Sequence, residues 1–216
     1  MKKRNSEFSY LIKKWKKKFV KSDYKIQKIR IYKILSRKNI NFLSALIDIK
    51  FKNKLNRSID RFCLIVPESV VIVPILILKN KKYTMMIEQQ RIDEGQKALE
   101  FAAGAIHTNE TIILAAQKEI YEELDLKIDK KEIKMLKKFG VRMDPSMTTS
   151  KAYFFYFIKK IDKDFLKSYE NRFSGLGRLG EYLKIKIIDL KKLKNINTSS
   201  AIIGLKFIED KFGKIR

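Results

Sequence analysis

Two apolar stretches constrain what this chain can fold into: VVIVPILIL, at Val70–Leu78, and AYFFYFI, at Ala152–Ile158. The second is apolar at consecutive positions, so both its faces need covering, which predicts a central strand of a buried sheet. The first is the longest apolar run in the chain, has strand length and carries Pro74. Neither it nor any other run approaches the roughly 18 apolar residues of a membrane-spanning helix.

Further strands read out around these two. FCLIVP and YTMMIEQQR have strand length and composition, and KNKK at 79–82 makes a tight connection into the latter. Residues 24–35 and 42–51 suggest an antiparallel pair joined by the polar SRKNIN, while IKMLKKFGV and YLKIKIIDL add two later strands. Residues 1–20 place Phe8, Leu11, Ile12, Trp15 and Phe19 three and four apart, one apolar stripe on a basic helix. Residues 110–124 read as a helix with Ile113, Ala116, Ile120 and Leu124 on its buried face, capped by Asn109 or Thr108. A short helix is expected at Asp162–Glu170 and a closing one at Ser199–Phe212. Antiparallel strands thus precede a mixed α/β body, with expected domains at 1–62 and 63–216.

At 216 residues, 45% of them hydrophobic, the chain can bury a core for one domain with an extension or for two small domains. The single Cys63 excludes a disulfide framework within the chain and a cysteine-based zinc cluster. With no apolar signal core at the N-terminus, a reducing cytoplasm is the expected compartment. The net charge of +25 favours a polyanionic partner: nucleic acid, an anionic membrane or a phosphate-rich substrate. Lysine spread along the chain, with abundant Ile and Asn, fits compositional drift with general phosphate attraction better than a dedicated nucleic-acid binder.

Against that basic background, Glu119, Glu122 and Glu123 fall at i, i+3 and i+4, on one face of the expected helix. Three like charges so close repel one another. A divalent cation among them would remove that cost, and all-oxygen ligation suits Mg2+ or Mn2+ rather than zinc. Taken alone the pattern also fits a solvated acidic face.

Spacing adds to it. Gly104 stands six residues before Glu110, and Glu110 eight and nine before Lys118 and Glu119. Read as Gly104, Glu110, Lys118, Glu119, Ile120, Glu122, Glu123, Asp125 and Leu126, the pattern resembles the Nudix box. Lys118 replaces the family's Arg, and Asp125 its second Gly. The flanking EFAAG (100–104) and IEQQR (87–91) look like segments of ADP-sugar and ADP-ribose pyrophosphatases. SEFSYLIKKWKKKF and GLGRLGEYLKIKIIDLKKL are similar to the ADP-sugar branch as well, so the likeness spans nearly the whole chain.

The resemblance implies a Nudix fold of the α/β (α+β) class: a mixed sheet sandwiched between helices, with an N-terminal helix and antiparallel extension that takes part in a homodimer. It implies Mg2+-dependent hydrolysis (Mn2+ as substitute) of a nucleoside diphosphate sugar, ADP-ribose or ADP-glucose, to AMP and a sugar phosphate. Glu119 and Glu123, assisted by Glu122, would be the catalytic metal ligands, with the Ala103 carbonyl beside them. Arg91, Glu100 and Gly104 would meet the substrate, and Glu110 would pair with Lys118. Such enzymes usually carry a further Glu in the loop after the box. Here that loop offers Thr148, Thr149, Ser150 and Lys151, with Asp144 the nearest carboxylate, so the base would be Asp144 or a helix Glu. Two rivals stand beside this reading. The charge suggests a pyrophosphohydrolase acting on RNA 5′ ends or caps, and the altered box suggests a weakened Nudix binding module. His107 reads as a loop residue, Asp93 and Glu94 as a polar turn, and FSGLGRLGE as a loop leading to Glu181. Tyr153–Phe157 reads as core strand rather than a base-stacking platform.

Overall fold

The computed structural model describes residues 2–37, 40–93, 95–175, 182–194 and 196–213. Glu94 and Glu181 lie outside them. The chain forms two compact units: Met1–Glu68 with His107–Asn109 and Arg142–Lys151, and Ser69–Ile106 with Glu110–Val141 and Ala152–Arg216.

In the first unit, helix α1 (Lys2–Lys17) precedes an antiparallel meander of β1 (Lys25–Arg37), β2 (Ile40–Lys52) and β3 (Ser58–Ile65). Period-two alternation sends Ala45, Ile47, Ile49 and Phe51 of β2 to one face. The helical stripe of Leu11, Ile12 and Trp15, continued by Phe19, closes over that face. Trp15 meets Phe19 edge-on and Phe19 stacks on Phe51, with ring centroids 4.9 and 5.3 Å apart.

In the second unit, β4 (Ser69–Leu78) and β5 (Lys81–Gln90) form a hairpin whose tight turn places Lys79 at φ 52°. β6 (Lys97–Glu100) and β7 (Ala102–Ala105) lead to helix α2 (Ile112–Leu124). There follow β8 (Lys134–Met135), β9 (Val141–Arg142), β10 (Lys151–Lys160), α3 (Lys163–Tyr169), β11 (Phe173–Ser174), β12 (Leu183–Asp189) and α4 (Ser199–Phe212). The sheet runs β11-β12-β5-β4-β10-β8, with β10 parallel to β4. As the apolar pattern of Ala152–Ile158 predicts, β10 is covered on both sides. Phe155 and Phe157 join Val70, Ile72, Ala116 and Ile120 in the core beneath α2. On the opposite face Phe154 meets Phe207 of α4 edge-on, at 5.3 Å between centroids. Gly204 lets α4 approach closely, since a Cβ there would stand 2.9 Å from a methyl of Val73. The result is a mixed α+β sandwich. No helix among the described residues is long and apolar enough to cross a membrane.

Two expectations need correction. IKMLKKFGV is not one strand; only Lys134–Met135 and Val141–Arg142 pair, as two separate short strands. Its apolar residues do not alternate, and Phe139 is exposed while Ile133 and Leu136 are buried. The strands at Lys97–Glu100 and Ala102–Ala105 were not anticipated, because each is four residues long and rich in alanine.

Pro74 explains how those short strands fit. Within a central strand proline leaves a gap in the hydrogen-bond ladder. β4 pairs with β5 only from Leu76 to Leu78, beyond the proline, and buried Thr84 Oγ1 donates to the Pro74 carbonyl at 2.7 Å. On the other side of Pro74 the partners change. β7 takes Ser69–Ile72 of β4, and β6 takes Ile87–Gln90 of β5.

Candidate active site

The divergence at Pro74 sets Glu100 at the end of β6 and Gly104 within β7, with fully buried Phe101 between the two strands. α2 packs across β7, and two of its carboxylates close on that strand. Glu123 Oε2 accepts a hydrogen bond from the Ala103 amide at 2.8 Å. The Glu119 carboxylate presses against Gly104 so closely that a Cβ there would land on it. Glycine is required at this position for close approach, not for an unusual backbone angle.

Glu119 faces the same side of α2 as Ala115, Ala116 and Ile120 and is only 6% exposed. Burial pushes its pKa from 4.5 to about 7; Lys118 pulls it back, and the charge of Glu122 raises it further. Lys118 Nζ stands 3.4 Å from both Glu119 Oε1 and Glu122 Oε2, a single ammonium between two carboxylates. Burial lowers the Lys118 pKa, but Glu119, Glu122 and Glu110 outweigh it and hold the ammonium above the ordinary lysine value. Glu110 thus acts on Lys118 through its field, from a position two residues ahead of the helix.

The start of that helix is a further correction. Thr111 is the N-cap, its hydroxyl accepting from the Leu114 amide at 3.4 Å, and the helix begins at Ile112. Asn109 instead takes a left-handed turn at φ 69°. At the other end Asp125 adopts φ 53°, ψ 38°, the geometry expected of a residue standing where a glycine would ease the exit. The amides of Asp125 and Leu126 close back on the carbonyls of Tyr121 and Ile120, at 3.1 and 3.4 Å. The segment after α3 caps the remaining carbonyls. Ser174 Oγ donates to Glu123 O at 2.5 Å, the Gly175 amide to Glu122 O at 3.0 Å and Tyr169 Oη to Asp125 O at 3.1 Å, while Arg172 pairs with the Asp125 carboxylate. Nothing in the local sequence signals these contacts, which couple residues about fifty positions apart.

Arg91 and Glu100 form the second half of the site. The Arg91 amide bonds Gln96 O at 2.9 Å, closing a loop with Gly95 at φ 65° that brings the guanidinium back over β6. Its Nε and Nη2 then grip the Glu100 carboxylate at 2.8 and 2.5 Å. That hydrogen bonding raises the Arg91 pKa against the opposing effect of burial, and the charges of Glu100 and Glu123 add to it. Arg91 therefore lies within the field of Glu123 on α2. Beside it opens a cavity of about 420 Å3, lined by Asp93, Gln96 and Lys97 and by Asn197, Thr198, Ser199 and Ser200 at the start of α4. The contribution of α4 was missed, although Thr-Ser-Ser ahead of an apolar run is a legible cap signal.

Asp144, weighed as a base, belongs to the first unit. It is exposed there, and its carboxylate accepts from Ser146 Oγ at 2.6 Å, which holds its pKa below the ordinary value.

Among the described residues, no three acidic, His or Cys side chains converge into a ready cation cage. The donor chemistry nevertheless suits a hard divalent ion. Glu119 is a buried carboxylate whose charge is incompletely compensated, Glu122 adjoins it across the Lys118 ammonium, and Glu123 keeps its second oxygen beside the Ala103 backbone. Chemically, the arrangement can hold a cation at α2 and an anionic substrate beside Arg91.

No family model matches the chain. Among curated proteins it is similar to Nudix hydrolase 14, chloroplastic, of Arabidopsis thaliana, with 24% identity over 164 residues, 72% of this chain and 53% of the relative. It therefore spans about half the length of that protein. Among solved structures, the fold is similar to that of an ADP compounds hydrolase, with a TM-score of 0.55 and 18% identity over 87% of this chain and 95% of that one.

Proposed function

We propose that the second unit is a Nudix-type pyrophosphatase that hydrolyses the diphosphate of a nucleoside diphosphate sugar, ADP-ribose or ADP-glucose, to AMP and a sugar phosphate. The observation that carries this reading is the buried Glu119 carboxylate pressed against Gly104, with Glu122 and Glu123 on the same helix and Arg91 within the field of Glu123. The Nudix hydrolase relative and the ADP compounds hydrolase fold support it.

Glu119, Glu122 and Glu123, with the Ala103 carbonyl, would hold Mg2+ or Mn2+. When bound, such an ion neutralises non-bridging phosphate oxygens and lowers the pKa of an attacking water. Lys118 keeps Glu119 and Glu122 from repelling each other in its absence. The bond from Glu123 to the Ala103 amide ties α2 to β7 and so fixes the spacing between the carboxylates and the strand. Arg91, oriented by Glu100, places its remaining N–H groups where a diphosphate can be held in a defined pose. Among the described residues, the cavity beside it is lined by amides, hydroxyls and charged groups without an aromatic ring, which suits a hydroxyl-rich sugar better than a base.

Steady-state assays with ADP-ribose, ADP-glucose and UDP-glucose in Mg2+ or Mn2+ test the proposal. Release of AMP is expected from at least one adenine substrate. Glu123→Gln should lower kcat/KM by roughly a hundredfold or more with an unchanged circular dichroism spectrum. Failure to turn over any of the three sugars with either ion would overturn it.

A further inference from the structure

The first unit has its own chemistry. Met1–Glu68 holds twenty Lys and Arg against five Asp and Glu, fifteen of the chain's +25 net charges in less than a third of its length. The excess is therefore concentrated there rather than spread evenly.

The meander places much of it on one face. In β2 the inward residues are Ala45, Ile47, Ile49 and Phe51, so Leu46, Asp48, Lys50 and Lys52 point to the opposite face. Register carries that face across the sheet: Lys28 opposes Lys50, Arg30 opposes Asp48, Lys33 opposes Leu46, and on the other side Phe62 opposes Asp48. A bulge between Ile31 and Lys33 breaks the alternation and lets Tyr32 share this outer face with Lys33. Tyr32 and Phe62 reach across β2 to a ring separation of 6.0 Å, and they remain 51% and 57% exposed. Lys25, Lys28, Arg30, Lys33, Lys50 and Lys52 surround them and make no ion pair among the described residues. Among the described residues the carboxylates on the face are Asp48 and Asp60.

We infer that this outer face binds single-stranded nucleic acid. An exposed aromatic pair on an open sheet offers a surface on which unstacked bases can lie, and the lysines and arginine on the same face offer partners for a phosphate backbone. A duplex hides its base faces and would use only the charges. A second copy of this chain is a poorer occupant, because isologous pairing would set the same cationic face against itself.

Fluorescence anisotropy of the full chain with a labelled mixed-sequence RNA of about twelve nucleotides tests the inference, with a duplex of equal length and phosphatidylserine vesicles as competitors. Preferential binding of the single strand is expected. Tyr32→Ala with Phe62→Ala should weaken it about tenfold while duplex binding holds, because stacking is lost and charge is kept. Arg30→Gln or Lys50→Gln should each reduce the salt dependence by about one unit of slope. All four side chains are exposed, and thermal melts establish that each variant folds. Equal affinity for duplex and single strand, indifference to the aromatic pair, or preferential capture by vesicles would each overturn the inference. So would a dimer in light scattering that the Tyr32 and Phe62 substitutions convert to monomer without changing RNA affinity.

Discussion

Glu100 and Glu119 are almost equally hidden, at 8% and 6% exposure, and β7, a loop and the first two turns of α2 separate them along the chain. Their surroundings differ sharply. Glu100 is gripped bidentately by one edge of a guanidinium, at 2.8 and 2.5 Å. Glu119 has one ammonium at 3.4 Å, shared with Glu122, and its pKa rises to about 7. A buried charge is stable only when its partner compensates desolvation through good geometry. Glu100 meets that condition within the protein, and its pair positions Arg91. Glu119 does not, and it is the carboxylate whose charge a bound cation would stabilise most.

The largest expected effect comes from removing that unmet charge. Glu119→Gln should lower hydrolysis by roughly two to three orders of magnitude and yet stabilise the metal-free protein at high pH. The sign follows from the raised folded pKa. The folded state holds the proton more tightly than the unfolded one, so Glu119 costs nothing below pH 4.5, and the cost builds as pH rises to about 7 and is complete above it. The full cost at pH 8 is at most about 3 kcal/mol. Melts from pH 4 to 9 should therefore show a downward slope in the parent that flattens in Glu119→Gln. Added Mg2+ should raise the parent Tm at pH 8 and leave the variant nearly unmoved; identical pH slopes would contradict the contrast drawn here.

Arg91→Ala attacks the other member of the comparison. It strands Glu100 without its partner and should cost about 2 to 3 kcal/mol in chemical denaturation, at the low end for a buried pair because Arg91 is partly exposed. A loss below about half a kcal/mol would mean that solvent already compensates Glu100. Lys118→Arg makes Glu119 resemble Glu100 by offering a forked partner. The pH slope of stability should then shrink by about 1 kcal/mol between pH 5 and 8, measured by the same melts. The smallest effect concerns the helix exit. Asp125→Ala keeps a Cβ in left-handed backbone and loses the contact to Arg172, costing about 1 kcal/mol, while Asp125→Gly should be close to neutral.

Much of this was legible beforehand. The strand lengths of Val70–Leu78 and Ala152–Ile158, the closing helix at Ser199–Phe212 and the positive φ at Asp125 all follow from local pattern. Periodicity and backbone sterics act within a few residues, so they can be read from neighbours alone. The helix start was misjudged because Thr108, Asn109 and Thr111 are all competent caps, and tertiary placement chose among them. β6 and β7 escaped notice because alanine-rich segments of four residues have little strand preference until another strand offers an edge.

What the sequence determined by itself was the inventory: one helix carrying Glu119, Glu122 and Glu123 at matched spacing, a glycine ahead of it, and an excess of cations. The tertiary structure decided how those groups are solvated. It buried Glu119 against Gly104 without a full partner, gave Glu100 the whole of Arg91, and gathered Tyr32, Phe62 and the nearby cations onto one open face. Burial and charge pairing depend on strands brought together from distant parts of the chain, and spacing along the chain carries no measure of either.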